Sequence, residues 1–212
     1  MRGAPKSPIS PSMIPPSMYP LLILILSVVV VSVLGFASKS VKDALILSPE
    51  KVRKRGQVYR LLTAGWLHAD VSHLAFNMIS FFFFAEQAML VLGEVRFFAL
   101  YISSVVVAYI PTTLRYMKQP NYTSLGASGG VAAIMLSAVL LYPKMRLQIM
   151  FLPIPIPGVL YAAGYLVYSA WHSYRESNNI NHDAHLSGAL YGAALTYVLE
   201  PSRVERTIRS FF

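Results

Sequence analysis

Long apolar stretches separated by polar segments run through most of this chain of 212 residues. Six of these stretches are long enough to cross a bilayer as helices, which takes roughly 17–25 residues each. Backbone N–H and C=O groups surrounded by hydrocarbon must find partners within the same segment, so a helix is the predicted structure. The six predicted spans are 20–36, 73–92, 96–114, 126–142, 158–174 and 184–199.

The apolar segments differ in the size of their side chains. Segment 20–36 consists largely of Leu, Ile and Val and is predicted to face lipid. The last three segments are shorter and rich in small residues, which favours buried helices in close contact. The pattern predicts an all-α membrane protein, with a six-helix bundle formed by residues 19–200.

The segments outside the predicted spans have distinct compositions. Residues 1–18 are rich in Pro and Ser and predict a disordered tail, and residues 201–212 predict a short basic tail. Arg2 and Lys6 before the first apolar run are also a feature of signal peptides, but no clear small-x-small cleavage site follows. The long connection 37–72 is predicted to be a structured first loop.

Composition supports a membrane location. Charged residues make up 13% of the chain, about half the usual fraction of roughly 25%, and mean hydropathy is +0.53. A net charge of +9 suggests nucleic acid in a soluble protein. Here the basic residues gather in loops, where anionic lipid head groups are the simpler partner and no nucleic acid is expected. The chain has no cysteine, which excludes disulfides, and we predict neither a metal site nor a cofactor.

Polar side chains within apolar spans are the candidates for chemistry, because such groups are costly in a membrane and usually functional. His73 and Asn77 lie four residues apart, so a helix places them on one face. There they can direct N–H donors at a common point, or simply hydrogen-bond to a neighbouring helix. The other ionisable or polar residues of this kind are Glu86, Ser128 and His185.

Ser128 and His185 both lie among glycines. Gly126 and Gly129 flank Ser128, and Gly188 lies one turn after His185. Small faces of this kind let two helix backbones come close, so the serine hydroxyl and the imidazole can meet. Such contact would activate a weak nucleophile, and the free N–H groups at the start of the serine's helix favour a developing anion. The alternative is that both glycine patches serve only to pack helices.

Three motifs occur in order in three different apolar segments. They are WLHADVSHLAFN at 66–77, GASGG at 126–130 and AHLSGALYG at 184–192. With these motifs the chain resembles the rhomboid intramembrane serine proteases over residues 20–200. The resemblance implies a multi-pass endopeptidase that cleaves transmembrane segments of membrane proteins with a Ser–His dyad and no acidic third member. The small six-span form implies a bacterial inner membrane, with an organellar or secretory-pathway membrane as the alternative.

The resemblance also implies a role for each matched residue. Ser128 matches the nucleophile and His185 the general base, while Asn77 and His73 match residues that help to hold the oxyanion with the Ser128 N–H. His68 matches a loop histidine of structural role. A helix of about 17 residues spans about 25 Å, less than a core of about 30 Å. We therefore expect Ser128 to lie below a water-filled opening, bordered by the polar segment 118–124.

The chain departs from the family pattern at three places. Ala132 stands where many members have an aromatic residue stacked on the catalytic histidine, so another residue is expected to support His185. Met89 stands where the family often has Glu, and Tyr59 where it often has Trp. None of these changes removes a catalytic group.

Three other functions fit parts of the sequence. The main alternative is a rhomboid-like pseudoprotease that binds membrane proteins without cleaving them, although such relatives usually lack the serine or the histidine. GASGG followed by Asp183 and His185 also fits the nucleophile elbow of α/β-hydrolases, but the strand that an elbow requires is missing before Ser128. A transporter is disfavoured because no inverted repeat or chain of buried charges is evident.

Overall fold

The computed structural model describes residues 18–148, 154–175 and 181–210, so that nearly all of the predicted N-terminal tail lies outside the described residues. Most of the described chain is helical. A 3₁₀ turn covers Ala64–Trp66, and two short strands are β1 (Arg146–Gln148) and β2 (Pro155–Pro157). The helices are α1 (Tyr19–Ala37), α2 (Lys39–Leu45), α3 (Pro49–Arg55), α4 (Arg60–Thr63), α5 (Val71–Tyr116), α6 (Ser128–Leu141), α7 (Gly158–Arg175), α8 (His182–Leu199) and α9 (Pro201–Arg209).

Helix is found at each of the six predicted spans, because α5 covers the second and the third. By length and composition, two of the described helices, α1 and α5, are long and apolar enough to cross a membrane. Helix α6 is apolar but has only 14 residues. The helical fold is therefore as predicted, while the crossing of the membrane by six segments stays a prediction.

Helix α5 folds back on itself at Gly93. The backbone there has φ of +73° and ψ of 164°, a conformation that side chains other than glycine rarely adopt. The ring centroids of Phe81 and Tyr101 are only 4.6 Å apart, whereas 20 residues of straight helix would separate the two residues by about 30 Å. Residues 71–92 and 94–116 are thus two arms packed side by side, and both pack on α6.

Helix α6 forms the centre of the molecule. Nearly every side chain from Gly129 to Leu141 is buried, on all sides of the helix. A helix that is apolar all round lies either in a protein core or in the hydrocarbon of a membrane. Here α5 and α8 supply most of the cover, and Ser128 lies at the exposed end of this buried helix.

The predicted structured first loop consists of α2, α3, α4 and the 3₁₀ turn. Arg60, only 3% exposed, holds this loop together. Its guanidinium donates to the Asp43 carbonyl at 3.0 Å and to the Ile46 carbonyl at 2.6 Å. A buried charge needs such partners, so the loop folds around this side chain. Leu47 in turn exchanges two backbone hydrogen bonds with Ser124, which ties the loop to the segment before α6.

A pair of strands and a C-terminal helix were not predicted. Strands β1 and β2 pair antiparallel between α6 and α7, so the chain is not strictly all-α. The segment treated as a basic tail forms α9 instead, beginning at Pro201 in the first helical turn, where proline is tolerated. Val204 and Thr207 lie on its buried face, and the Thr207 hydroxyl donates to the Leu140 carbonyl at 2.8 Å. The amphipathic pattern of α9 was not recognised from the sequence because basic residues lie on its other face.

Candidate active site

Two hydrogen bonds and the conformation of Gly126 fix the backbone before Ser128. The Gly126 N–H donates to the Ala64 carbonyl at 3.0 Å, and the buried Tyr109 hydroxyl donates to the Gly126 carbonyl at 2.8 Å. Gly126 has φ of +125°, which favours glycine, and a side chain there would collide with the imidazole of His73. These contacts fix the direction in which α6 begins and place the Ser128 side chain at the helix N-terminus.

Ser128 and His185 are brought into direct contact. The serine Oγ lies 2.6 Å from His185 Nε2, a hydrogen-bonding distance. Glycines make the approach possible: a Cβ added at Gly188 would lie 2.2 Å from the Gly129 carbonyl oxygen. The backbones of α6 and α8 touch at this point, as the small faces predicted. Each of the two side chains projects from its own helix into the same polar space.

The start of α8 is fixed by a residue that the sequence analysis did not single out. Asn181 Oδ1 caps the helix by accepting from the Ala184 N–H at 3.0 Å. The same oxygen accepts from the Thr112 hydroxyl at 2.9 Å, and Asn181 Nδ2 donates to Ser124 Oγ at 2.9 Å. One side chain thus joins α8 to α5 and to the segment before Ser128. The capping position was the signal available, since Asn commonly precedes a helix.

His73 and Asn77 lie on the same cavity wall as Ser128. The Ala69 N–H points at His73 Nδ1 at 3.4 Å, which makes Nδ1 the acceptor and leaves the proton on Nε2. That Nε2 lies beside Gly126, where an added Cβ would be 3.1 Å from Nε2 and 3.7 Å from Ser128 Oγ. Asn77 Nδ2 donates one hydrogen to the His73 carbonyl at 3.0 Å, and its second hydrogen has no acceptor among the described residues.

His68 connects three parts of the structure behind the serine. Its Nδ1 lies 2.9 Å from Ser32 Oγ of α1, and that hydroxyl donates to the Trp66 carbonyl at 2.9 Å. Its Nε2 accepts from the Ala127 N–H at 3.5 Å, one residue before Ser128. This network needs a neutral ring with its proton on Nδ1. Burial, aided by the charge of nearby His73, lowers the pKa of His68 from 6.5 to about 4.

Stability is expected to depend on the protonation of His68. The folded ring stays neutral down to about pH 4, whereas the unfolded ring takes up a proton below about pH 6.5. The contribution of His68 to the free energy of unfolding should therefore be fully present above pH 6.5. It should decrease by up to about 3 kcal/mol as the pH drops towards 4. Melting temperatures of the wild type and of His68→Gln across this range measure the effect. Equal pH dependence in both proteins would contradict it.

Two rings from other positions surround the imidazole of His185. Among the described residues its Nδ1 has no hydrogen-bond partner, so packing must orient the ring. Tyr165 of α7 stacks on it with 6.1 Å between centroids and 27° between planes. His182 meets it edge-on at 5.8 Å. Tyr165 packs in the same small cluster as Ala132, so the small side chain of α6 leaves room for a ring from α7.

Asp183 does not serve as an acidic partner of the dyad. Its carboxylate pairs with Arg115 at 2.9 Å and accepts from the Ser173 hydroxyl. It thereby connects the beginning of α8 to α5 and α7. Glu86 also lies away from the site: its side chain is exposed and does not line the cavity around Ser128.

The dyad opens into a cavity of about 1090 Å³. His73, Asn77, Ser128 and His185 all line it. Residues Gln119, Asn121, Tyr122, Thr123 and Ser124 form part of the wall, so the polar segment 118–124 borders the opening as predicted. A serine, an imidazole and free N–H donors in a water-accessible space are the components of a nucleophilic site.

Comparison with known proteins places the chain among membrane-embedded relatives. A family model described as Rhomboid domain matches residues 55–202. The RHOMBOID-like protein 12, mitochondrial, of Arabidopsis thaliana is 30% identical over 155 residues, which cover 66% of this chain and 46% of that protein. The yeast Saccharomyces cerevisiae has Rhomboid protein 1, mitochondrial, 27% identical over 157 residues, or 69% of this chain and 44% of that protein.

A bacterial relative is more similar over a shorter stretch. YdcA of Bacillus subtilis is 39% identical over 77 residues, which cover 36% of this chain and 37% of that protein. The chain spans less than half the length of each of these three relatives. Two of the three are named as mitochondrial, which gives no support to the expected bacterial inner membrane. The match over residues 55–202 contains all three motifs, and the chain belongs to the rhomboid family.

Proposed function

We propose that this protein is an intramembrane serine endopeptidase that cleaves transmembrane segments of membrane proteins. The observation that carries the proposal is the 2.6 Å contact between Ser128 Oγ and His185 Nε2 at the wall of a polar cavity. A serine hydroxyl becomes an effective nucleophile only when a base accepts its proton. Membership of the rhomboid family, in which serine proteases occur, supports the same conclusion.

The first half of the reaction forms an ester. Ser128 Oγ attacks the scissile carbonyl carbon while His185 Nε2 takes the hydroxyl proton. The resulting oxyanion accepts hydrogen bonds from the Ser128 N–H, from His73 Nε2 and from the free hydrogen of Asn77. Donors that already point at this position stabilise the transition state without reorganising. The C–N bond then breaks, and the imidazolium of His185 gives its proton to the departing amine.

The second half of the reaction hydrolyses the acyl-enzyme and regenerates free Ser128. A water molecule attacks the acyl ester, His185 takes its proton, and the same donors hold the second oxyanion. Collapse of this intermediate breaks the ester bond, and the proton returns to Ser128 Oγ. Water has access because α6, with 14 residues, spans about 21 Å of a hydrocarbon core about 30 Å thick. Ser128 therefore lies at the base of the cavity, where solvent enters from one side.

Cleavage in a bilayer tests this function against binding alone. The purified chain is incorporated into vesicles with a panel of labelled single-span membrane proteins, beside the variant Ser128→Ala. Cleavage within or next to the spans by the wild type, and none by the variant, is expected. Stable capture of the same proteins by both forms, with no cut by either, would instead identify a binding-only member of the family.

Tyr165 is expected to act on the rate rather than on substrate binding. In Tyr165→Ala the imidazole of His185 loses the ring that packs on its face, so kcat should fall about tenfold with KM little changed. Introducing Ala132→Phe into that variant should restore much of the rate, because residues 132 and 165 share one cluster. Tyr161→Ala, on the same helix but not against His185, is the matched control. An equal loss of kcat in the control would contradict the assignment.

The membrane is the remaining part of the proposal. A membrane-embedded location follows from the family, the six apolar segments support a multi-pass one, and the names of two relatives favour a mitochondrial membrane. Fractionation of cells that express the full chain with a C-terminal tag measures the location. Recovery of the protein in the mitochondrial membrane fraction is expected, and recovery in another membrane would exclude this assignment.

A further inference from the structure

A second cavity lies at the end of the molecule opposite Ser128. Its volume is about 590 Å³, and it is separated from the dyad by the length of α6, about 20 Å. One wall comes from the first arm of α5 and the other from the connection that follows α6. The lining residues are Phe83, Gln87, Leu141, Tyr142, Pro143, Lys144, Met145 and Arg146.

Two cations on this cavity have no counter-charge among the residues that the structure describes. Lys144 and Arg146 are both exposed, and within the described ranges neither side chain makes a hydrogen bond or an ion pair. Arg96, at the same end of the molecule, is by contrast paired with Glu200 at 3.3 Å. No carboxylate is among the lining residues. The cavity therefore presents a net positive charge of two to any ligand that enters it.

The opposite side of the cavity is continuous with an apolar face of α5. Phe83 lines the cavity and is 65% exposed. Phe76 and Ile79 lie seven and four residues before Phe83 on the same helix face, towards Ser128, and are 58–59% exposed. On the other side of Phe83 this face carries the exposed carboxylate Glu86. In a membrane-embedded protein such a face contacts acyl chains. The cavity thus joins a pair of cations to a surface that acyl chains cover.

The geometry points to a binding site for one anionic phospholipid. Its phosphate would lie between Lys144 and Arg146, where a guanidinium can donate two hydrogen bonds and an ammonium supplies a point charge. One acyl chain would run from there along Phe83 and towards Phe76. A zwitterionic phospholipid fits less well, because its own cation would face the two basic side chains. Basic pockets between membrane helices recognise anionic head groups in this way.

Binding is measured on the delipidated full chain in a neutral detergent, by melting temperature and by native mass spectrometry. Phosphatidylglycerol is compared with phosphatidylcholine and with inorganic phosphate. The double variant Lys144→Gln/Arg146→Gln is compared with Arg206→Gln/Arg209→Gln, which removes two exposed cations of α9 at the same end of the molecule. All four positions are exposed, so that each variant is expected to fold.

Phosphatidylglycerol should bind the wild type about tenfold more tightly than phosphatidylcholine, and the preference should vanish in the Lys144/Arg146 variant alone. Equal binding of both lipids, or retention of the preference in that variant, would overturn the site. Stabilisation by inorganic phosphate alone would show that the cavity binds a free anion instead. An equal loss in the Arg206/Arg209 variant would show a general effect of charge and would also overturn it. None of these outcomes depends on proteolytic activity.

Discussion

Ser128→Ala should reduce cleavage of transmembrane substrates by about a thousandfold or more, because the variant has no hydroxyl to form the ester. His185→Ala should lose a similar factor, since nothing else within hydrogen-bonding distance of Ser128 Oγ accepts its proton among the described residues. The two losses should not add, because serine and base act as one unit. Initial cleavage rates in vesicles of the two single variants and of the double variant measure this.

A buried serine elsewhere provides the control. Ser104 is fully buried in α5, and its hydroxyl has no hydrogen-bond partner in the described part of the chain. Ser104→Ala should therefore fold normally and retain activity. Significant cleavage by Ser128→Ala, at a rate comparable to that of Ser104→Ala, would show that another group is the nucleophile.

Gly188→Ala should be the most damaging single-methyl change in the bundle. The new Cβ would lie 2.2 Å from the Gly129 carbonyl oxygen and 2.9 Å from its Cα, so that α6 and α8 would have to separate. Overpacking against backbone should cost roughly 3 kcal/mol of stability. Activity should fall as well, because separating these helices moves His185 away from Ser128. Thermal melting and cleavage rates of the purified variant measure both effects.

Gly164 of α7 is the matched control for this change. A Cβ added there meets nothing within 4 Å, so Gly164→Ala should leave stability unchanged or raise it by up to about 1 kcal/mol. If Gly188→Ala melted at the same temperature as Gly164→Ala, the close contact between α6 and α8 would be wrong.

The elements of the site were predictable where they depend on local spacing. His73 and Asn77 share a face because four residues make about one helical turn, and the structure places both on the cavity wall. The glycine patches around Ser128 and after His185 indicated a close helix contact, and Gly129 and Gly188 form it. The apolar segments likewise indicated where helices lie, because burial requires continuous runs of such residues.

Features that depend on contacts between distant residues were not predictable. Ala132 signalled that the aromatic side chain expected on α6 was missing, but nothing in the sequence indicated that Tyr165 of α7 would supply a ring. Asn181 was not predicted as a site residue, because its bonds to Thr112 and Ser124 appear only when three segments meet. The two-strand pairing between α6 and α7 joins segments of three residues each, too short to give a periodic signal.

The central claim is that Ser128 is a nucleophile activated by His185. Covalent labelling of the folded, membrane-reconstituted chain by a fluorophosphonate, followed by peptide mass spectrometry, tests it without a known substrate. We expect an adduct on Ser128 in the wild type and its loss in His185→Ala. A folded wild type that forms no adduct at Ser128, or an adduct that forms equally well in His185→Ala, would contradict it.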